Sequence, residues 1–202
     1  MRAGLTVDRV VAVGAELADE VGFEAVTVST LARRLGIKTP SLYSHIDGSD
    51  DLRLRIAALA LEESADRVAE AIAGRAGADA LSAYAGAYRD FARHHPGRYA
   101  ATRQPVPVDA AEAGVAAQAA LAQGRRHADL ARAVLRGYDL HGPEETHAVR
   151  LIGSLVHGYV TLELAGGFAH SEPSTEESWS YAVEAIDRVL RTPAAESAGL
   201  LA

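Results

Sequence analysis

The chain has 202 residues, enough to bury a sizeable hydrophobic core as one domain or as a small domain fused to a larger one. It contains no cysteine, which excludes a disulfide framework, a zinc–thiolate site and a thiol nucleophile. The beginning of the chain lacks the apolar core of a signal peptide, and no stretch approaches the roughly 20 apolar residues of a membrane span. We therefore expect a soluble, cytoplasmic protein.

The net charge of −7 argues at first against a nucleic-acid partner, because phosphate binding usually leaves a basic surface. The distribution of the charge matters more than its total. Between Leu31 and His45 the chain carries Arg33, Arg34 and Lys38 with no acidic residue, whereas acidic residues crowd the rest of the chain. This short window is locally basic and is a candidate for contacts with DNA phosphates.

Helical spacing of apolar residues predicts three helices in the first 46 residues. The first follows Thr6, a possible N-cap, and ends at Gly22. Thr27 is the expected N-cap of the second helix, which Gly36 ends. In the third and shortest helix, Pro40 suits the first helical position because its missing N–H would be unpaired there anyway.

The remainder of the chain is also predicted to be helical. Ser49 is a possible cap for a helix that extends to about Gly74, and a further helix ends at a breaker over residues 94–97, with a short turn over 98–107. An alanine-rich helical segment over 109–136 is expected to be interrupted near Gly124. A long helix opens at Pro143, and a capping-box pattern opens a last helix after Ser174.

No strand-like alternation is found, so the sequence predicts an all-α protein. We expect a helix-turn-helix domain of three helices over residues 1–48, a helical ligand-binding and dimerisation domain over 49–192, and a disordered tail over 193–202.

Residues 27–45 form a candidate helix-turn-helix, since two short helices are joined by a tight turn at Gly36. The residues expected on its inner face are apolar: Val28, Leu31, Leu35, Ile37 and Leu42. The residues left outside on the third helix supply hydrogen-bond donors and an aromatic ring without an acid: Lys38, Thr39, Ser41, Tyr43, Ser44 and His45. A helix–glycine–helix pattern alone is equally typical of any pair of packed short helices.

The residues over 23–28, 31–32, 35–37 and 42–46 closely resemble the amino-terminal domain of the tetracycline-repressor (TetR) family. This resemblance covers residues 6 to about 55. It implies that Thr27 and Tyr43 contact phosphates and that His45 packs near the DNA backbone. It also implies that four residues face the bases: Lys38, Thr39, Pro40 and Ser41. The family usually has lysine at Ser49 and phenylalanine at Ile46, so a phosphate contact from the fourth helix is in doubt.

The second half resembles the TetR branch with a tryptophan- or valine-His-Gly signature, found here at Val156-His157-Gly158. The helix over 144–165 carries more apolar residues than one core face needs, which predicts a second buried contact with a symmetry mate. We therefore expect a homodimer in which this helix and the last helix form a four-helix bundle. The predicted interface residues are Leu151, Leu155, Leu162, Val183, Ile186 and Leu190.

A small-molecule pocket is expected in the second domain, lined by Tyr84, Tyr88, Phe91 and His157. In a chain with 5% aromatic residues, three aromatics on one helix favour a pocket wall about as much as plain core. A mostly apolar wall with one or two polar groups suits an apolar or aromatic effector.

Other chemistry is weakly indicated. Glu144-x-x-His147 has the spacing of a di-iron half-site, but a second copy and two further glutamates are missing. We expect no metal and no cofactor. A helical enzyme is one alternative, although no nucleophile–base pair or phosphate-binding loop is present. A dimeric adaptor is another, but it would leave the acid-free face unexplained. The sequence predicts a ligand-responsive repressor that binds a palindromic operator.

Overall fold

The computed structural model describes residues 5–107 and 114–192, and this part of the chain is helical and contains no β-strand. It contains the α-helices α1 (Val7–Val21), α2 (Val28–Leu35), α3 (Ser49–Ile72), α4 (Gly77–His94), α5 (Pro96–Ala101), α6 (Val115–Leu135), α7 (Pro143–Leu164) and α8 (Thr175–Arg191). Two 3-10 helices span Phe23–Ala25 and Thr39–Ser44. The predicted all-α class is confirmed. The predicted tail over 193–202 and the first residues of the alanine-rich segment, 109–113, lie outside the described residues.

Among the described helices, none combines the length and the apolar character that a membrane crossing requires.

Side-chain caps begin three helices where the sequence predicts them. The Thr6 hydroxyl accepts a hydrogen bond from the Arg9 N–H at 3.2 Å at the start of α1. At the start of α8 the Ser174 hydroxyl accepts from the Glu177 N–H at 3.3 Å, and the Glu177 carboxylate accepts from the Ser174 N–H at 3.0 Å. Thr27 caps α2 in the same reciprocal way. Each cap satisfies backbone donors that would otherwise be unpaired and contributes about 1 kcal/mol.

One predicted break is confirmed and two details were wrong. As predicted, α4 ends at His94. The chain then continues as the short helix α5 where a turn was predicted, because Pro96 begins it at a position where a helix needs no N–H. Gly124 lies inside α6, which is continuous. A helical glycine costs about 1 kcal/mol relative to alanine but removes no backbone hydrogen bond, and the alanine-rich neighbours sustain the helix.

The third element also differs in detail from the prediction. It is a 3-10 helix that begins at Thr39, so Pro40 occupies its second position. Ser49 is the first residue of α3 and does not cap it. Instead the Asp51 carboxylate accepts a hydrogen bond from the Asp47 N–H at 2.9 Å, and Arg55 donates to the same carboxylate oxygen at 2.8 Å.

The described residues fall into two compact units. The first unit comprises Met1–Asp66 and Phe91–His127, and the second comprises Arg67–Asp90 and Ala128–Ala202. The predicted functional boundary at residue 48 is not tested by this division and remains a prediction.

The first unit is built around α1. Val10 and Ala18 are fully buried on the inner face of α1. A Cβ on Gly14 would lie 2.8 Å from the Ile56 side chain of α3, so the absence of a side chain at Gly14 lets α3 pack close to α1. The same core contains Leu31 of α2 and Leu42 of the 3-10 helix Thr39–Ser44.

The core of the second unit lies along one face each of α4, α7 and α8. Leu81 of α4 and Ile152 of α7 are fully buried, and Ile186 of α8 is nearly so. Gly137, after α6, lies so near the backbone of Gly77 that a Cβ would come within 2.7 Å of the Gly77 nitrogen.

Candidate nucleic-acid interface

The turn that follows α2 has a closed hydrogen-bonding pattern. Gly36 adopts a left-handed conformation, with φ 68° and ψ 29°. The Gly36 N–H donates to the Arg33 carbonyl at 3.2 Å, and the Ile37 N–H donates to the Ala32 carbonyl at 3.0 Å. These two bonds are those of a Schellman motif, which glycine favours because it has no Cβ to oppose a positive φ. The turn therefore fixes the direction in which the chain leaves α2.

The 3-10 helix Thr39–Ser44 is anchored by apolar side chains and presents a polar outer face. Leu42 and the following Ile46 are buried in the core of the first unit. Tyr43 between them is 57% exposed, although a tyrosine side chain has ample apolar surface to bury. The alternation of buried and exposed side chains shows which face of the element is available to a partner.

The structure brings the predicted DNA-contact residues together along this segment. Lys38, Pro40 and Ser41 are exposed with Tyr43, whereas Thr39 and His45 are half-buried. No acidic residue occurs between Lys38 and His45, so the exposed groups are donors, an aromatic ring and one cation. Such a set suits phosphate oxygens and base edges.

The basic window is less basic than its sequence indicates. Arg34 donates to both carboxylate oxygens of Glu20, at 2.9 Å from Nη1 to Oε2, so its charge is already compensated. Neither Arg33 nor Lys38 forms an ion pair with any of residues 5–107 and 114–192. Two uncompensated cations therefore remain for phosphate contacts.

Thr27 is exposed, and its hydroxyl is already engaged in the cap of α2. It accepts from the Thr30 N–H at 3.1 Å and lies 3.1 Å from the Thr30 hydroxyl. The cap orients the hydroxyl, and the exposure of the residue leaves it accessible. A phosphate contact by Thr27 remains a prediction.

A polar cluster holds α1 against α5 within the first unit, and sequence reasoning missed it. The Asp19 carboxylate of α1 accepts from the Arg98 N–H at 2.8 Å and lies 3.1 Å from Nδ1 of His95. The Arg98 guanidinium also reaches Glu63 at 3.1 Å. Gly97 lies so close to Ala18 that there is no room for a Cβ. The only sequence signal was the Pro-Gly pair at 96–97, which is equally typical of a turn between two helices.

The predicted pocket residues occupy different environments. In the second unit the Tyr84 and Tyr88 rings meet edge to face with centroids 4.9 Å apart, and burial raises the pKa of the Tyr84 hydroxyl. His157 is half-buried, 3.4 Å from the Thr161 hydroxyl. Phe91 belongs to the first unit, where it is fully buried and its ring lies 5.4 Å from that of His95. The pocket remains a prediction, now narrowed to the three residues of the second unit.

Half of the predicted dimer residues are placed in the interior of one chain. Val183, Ile186 and Leu190 are buried, because residues three and four apart share the face of α8 that packs into the core of the second unit. A side chain buried within its own chain cannot cover a partner, so these three are corrected to core residues. Leu151 and Leu162 of α7 are exposed.

The remaining predicted interface residue, Leu155, is half-buried. On α8 the exposed apolar residues are Tyr181 and Val189. The sequence could not indicate that these two residues are exposed, because apolar residues occur on both faces of α8.

The second unit holds a buried ion cluster that the sequence analysis did not identify. Arg89 of α4 donates to both carboxylate oxygens of Glu163, at 2.8 and 2.9 Å, and to Glu176 at 2.8 Å. Its guanidinium also lies 4.9 Å from the Trp179 ring centroid. The hydrogen bond that Arg89 donates to Glu163 raises the pKa of Arg89 and outweighs the opposing effect of burial. The cluster ties α4 to α7 and to the beginning of α8.

Among the described residues, no group of histidine and acidic side chains is arranged to hold a metal ion.

The described part of the chain is helical. Its second helix has a side-chain cap, a closed glycine turn follows, and the outer face of the next element carries no acidic residue. These features are those of the helix-turn-helix class of DNA-binding proteins.

Comparisons with known proteins give the family. Residues 10–56 match the profile of bacterial regulatory proteins of the tetR family, and residues 81–186 match the tetracyclin repressor-like C-terminal domain. The chain belongs to the TetR family of transcriptional regulators. Regulators of this family bind DNA as dimers and are not enzymes.

The matches to similar proteins extend over most of the chain. An uncharacterized HTH-type transcriptional regulator of Mycobacterium tuberculosis is 39% identical over 149 residues, which are 73% of this chain and 65% of that protein. Another of Bacillus subtilis is 32% identical over 175 residues, 87% of each chain. The structure of the Streptomyces coelicolor TetR family protein ActR in complex with (S)-DNPA is 20% identical, with a TM-score of 0.67 over 93% of this chain and 98% of that one. This last likeness shows the fold.

Proposed function

We propose that this regulator is a homodimeric repressor that binds a near-palindromic operator and is released from it by a small apolar or aromatic molecule. The observation that carries the DNA-binding part is the outer face of the 3-10 helix Thr39–Ser44, where Lys38, Ser41 and Tyr43 are exposed while Leu42 is buried. Two-fold symmetry would place two such faces in major grooves about 34 to 36 Å apart. Operator DNA is in the cytoplasm, where we place the protein.

The DNA-binding proposal predicts two separable effects. In the proposed homodimer, Lys38→Ala removes one cation from each protomer, so it should weaken binding and lower the magnitude of the slope of log K against log salt by about 1.8. Tyr43→Phe removes an uncharged donor, so it should weaken binding with little change in slope. The measurement is fluorescence anisotropy with duplex DNA from upstream of the gene, at several salt concentrations.

Arg125→Ala is the matched control for Lys38→Ala. Arg125 is exposed on α6 and forms no ion pair with the described residues, so its removal changes the net charge equally. If Lys38→Ala and Arg125→Ala bind with the same affinity and slope, this segment is not the DNA-contacting element.

The dimer proposal rests on exposed apolar side chains of α7 and α8. Leu151 and Leu162 are eleven residues apart, which is about three helical turns, so they lie on one face of α7. Tyr181 is 67% exposed on α8. Large apolar side chains left in water on two adjacent helices are typical of an interface between protein chains.

Sedimentation velocity at micromolar concentration should show a dimer for the native chain and a monomer for Leu162→Glu. Val21→Glu places the same charge on another exposed apolar residue, on α1, and should leave the dimer intact. A native monomer, or equal dissociation in both variants, would remove this interface.

We propose that the small molecule that releases the regulator from DNA binds in the second unit. A pocket near Tyr84, Tyr88 and His157 would need an effector that prefers the conformation that does not bind DNA, because equal affinity for both conformations shifts nothing. A coupling of about 1 to 3 kcal/mol would weaken DNA binding roughly 5- to 150-fold. In a thermal-shift screen, hits should lose their effect in His157→Ala. Hits that stabilise this variant as well as the native chain would place the pocket elsewhere.

A further inference from the structure

A groove in the first unit, lined by α1, α3 and α6, is not needed for the proposed DNA contacts. Its volume is about 460 Å³. This falls within the range of roughly 300 to 1,000 Å³ that is typical of small-molecule sites. Its walls are mainly apolar and include Val11 of α1, Leu59 of α3, and Val115 and Ala119 of α6. Val115 is 75% exposed, so the groove leaves a β-branched side chain in water.

The polar groups that line the groove define what it would accept. Asp8 and Glu62 are exposed, and neither carboxylate has a hydrogen-bond or ion-pair partner among the residues that the structure describes. Arg55 also lines the groove, but it is paired with Asp51 at 2.8 Å. The uncompensated charge of this groove is therefore negative.

Gln123 adds a separate requirement. Its side-chain carbonyl oxygen, Oε1, is buried and accepts no hydrogen bond in the described part of the chain. A buried acceptor without a donor costs about 1 to 3 kcal/mol, so a bound molecule that supplied an N–H would recover part of that cost. The groove thus combines an apolar wall, a negative rim and a buried acceptor.

We propose that this groove binds a small organic ammonium ion with an apolar body. The ammonium group faces Asp8 and Glu62, and the body covers the apolar wall. Rotation of the Gln123 side chain toward the groove would let its Oε1 accept a hydrogen bond from the ammonium group. An anion would be repelled by the rim, and a neutral hydrocarbon would leave the Gln123 acceptor unpaired.

Occupation of the groove would also affect the helix-turn-helix. The groove is lined by α1 and α3, which pack together at Gly14 and Ile56, and α1 packs against α2. A molecule seated between α1, α3 and α6 would favour one spacing of these helices. This regulatory consequence rests on the proposed function, whereas the binding itself does not.

The test compares two probes of nearly equal shape on the full chain by isothermal titration calorimetry at pH 7. 1-Naphthylmethylamine carries the ammonium, and 1-naphthylmethanol keeps a hydrogen-bond donor without the charge. The amine should bind at least about fivefold more tightly than the alcohol. Equal affinity of the two, or no heat from the amine at millimolar concentration, would overturn the proposal.

Variants locate the binding. The double variant Asp8→Asn, Glu62→Gln should remove the preference for the amine, since each exposed carboxylate contributes about two- to fivefold. Glu70→Gln, on α3 and outside the lining of the groove, should leave it unchanged. Ala119→Trp fills the groove and should abolish binding, whereas Ala122→Trp, exposed on the same helix but outside the lining, should not. Amine binding that survives Ala119→Trp would refute the assignment.

The same titrations distinguish the two proposals. Addition of the amine to the anisotropy assay measures whether occupation of the groove changes the affinity for DNA. If the amine binds as predicted and the native chain does not bind DNA, the proposed function fails while the groove assignment stands.

Discussion

Gly97→Ala is the most informative single substitution for the first unit, because the structure specifies what the added methyl group would meet. A Cβ on Gly97 would lie 1.9 Å from the Ala18 carbonyl oxygen, 2.0 Å from its carbon and 2.5 Å from the Asp19 nitrogen. All three are backbone atoms of α1 and cannot turn aside as a flexible side chain would. To bring the closest distance to 3.0 Å, α5 must retreat by more than about 1 Å.

A retreat of this size also breaks the polar cluster that joins the two helices. The Arg98 N–H lies 2.8 Å from Asp19, and a displacement of about 1 Å takes the pair beyond hydrogen-bond distance. Overpacking costs about 1 to 3 kcal/mol, and the loss of a partly buried hydrogen bond to a carboxylate costs about 1.5 to 3 kcal/mol. We therefore expect Gly97→Ala to lower the free energy of unfolding by about 2.5 to 6 kcal/mol, the sum of these two costs. For a chain of this size, that corresponds to a fall in Tm of roughly 5 to 25 °C.

Gly86→Ala is the matched control. Gly86 lies inside α4, and a Cβ there would meet no atom within 4 Å. The substitution should be neutral or raise the free energy of unfolding by up to about 1 kcal/mol, because alanine is the better helix former. Both variants are measured by differential scanning calorimetry and urea unfolding. A Tm for Gly97→Ala within about 1 °C of the native value would refute the close approach of α5 to α1.

Two further predictions concern the second unit and are measured by urea unfolding. Glu163→Gln should lower the free energy of unfolding by about 3 kcal/mol, because it removes the bidentate carboxylate partner of the buried Arg89. Glu176→Gln should lower it by less than about 1 kcal/mol, because the Glu176 side chain is 70% exposed. Equal costs for the two variants would contradict this ranking. The Tyr138 hydroxyl donates to Asp187 at 2.7 Å and helps Arg191 to hold the pKa of Asp187 below its usual value, so Tyr138→Phe should cost about 1 to 2 kcal/mol at pH 7. The difference in unfolding free energy between the native chain and Tyr138→Phe should shrink as the pH falls below about 4, because a carboxylate with a lowered pKa stabilises the fold only while it is ionised. A difference that does not vary with pH would exclude this hydrogen bond as its source.

The helix-turn-helix could be predicted closely because its signals are local. A cap such as Thr27 and a turn such as Gly36 are determined by interactions within a few residues of the chain, and both lie where the sequence indicates. The same holds for the capping box at Ser174. Local hydrogen bonding leaves these positions few alternative conformations.

The cluster of Asp19, His95 and Arg98 could not be predicted, because Asp19 is more than 70 residues away from the other two along the chain. An aspartate near the end of a helix and an arginine after a proline have no distinctive spacing. Gly97 was similarly ambiguous, since glycine is common both in turns and where two backbones approach closely. Only the packing of α5 on α1 shows that the second reason applies.

The dimer residues show a different limit of sequence reasoning. A helix with apolar residues on two faces predicts two buried contacts, but the pattern does not say which contact is with the same chain and which is with a partner. On α8 the regular stripe through Val183, Ile186 and Leu190 is buried within one chain, and the less regular pair Tyr181 and Val189 remains exposed. The core of a single chain is the larger apolar environment, so it takes the face with the more continuous stripe. The interface that we propose then consists of the residues left over, and a search for it in related chains should begin with apolar residues that fall outside the best helical stripe.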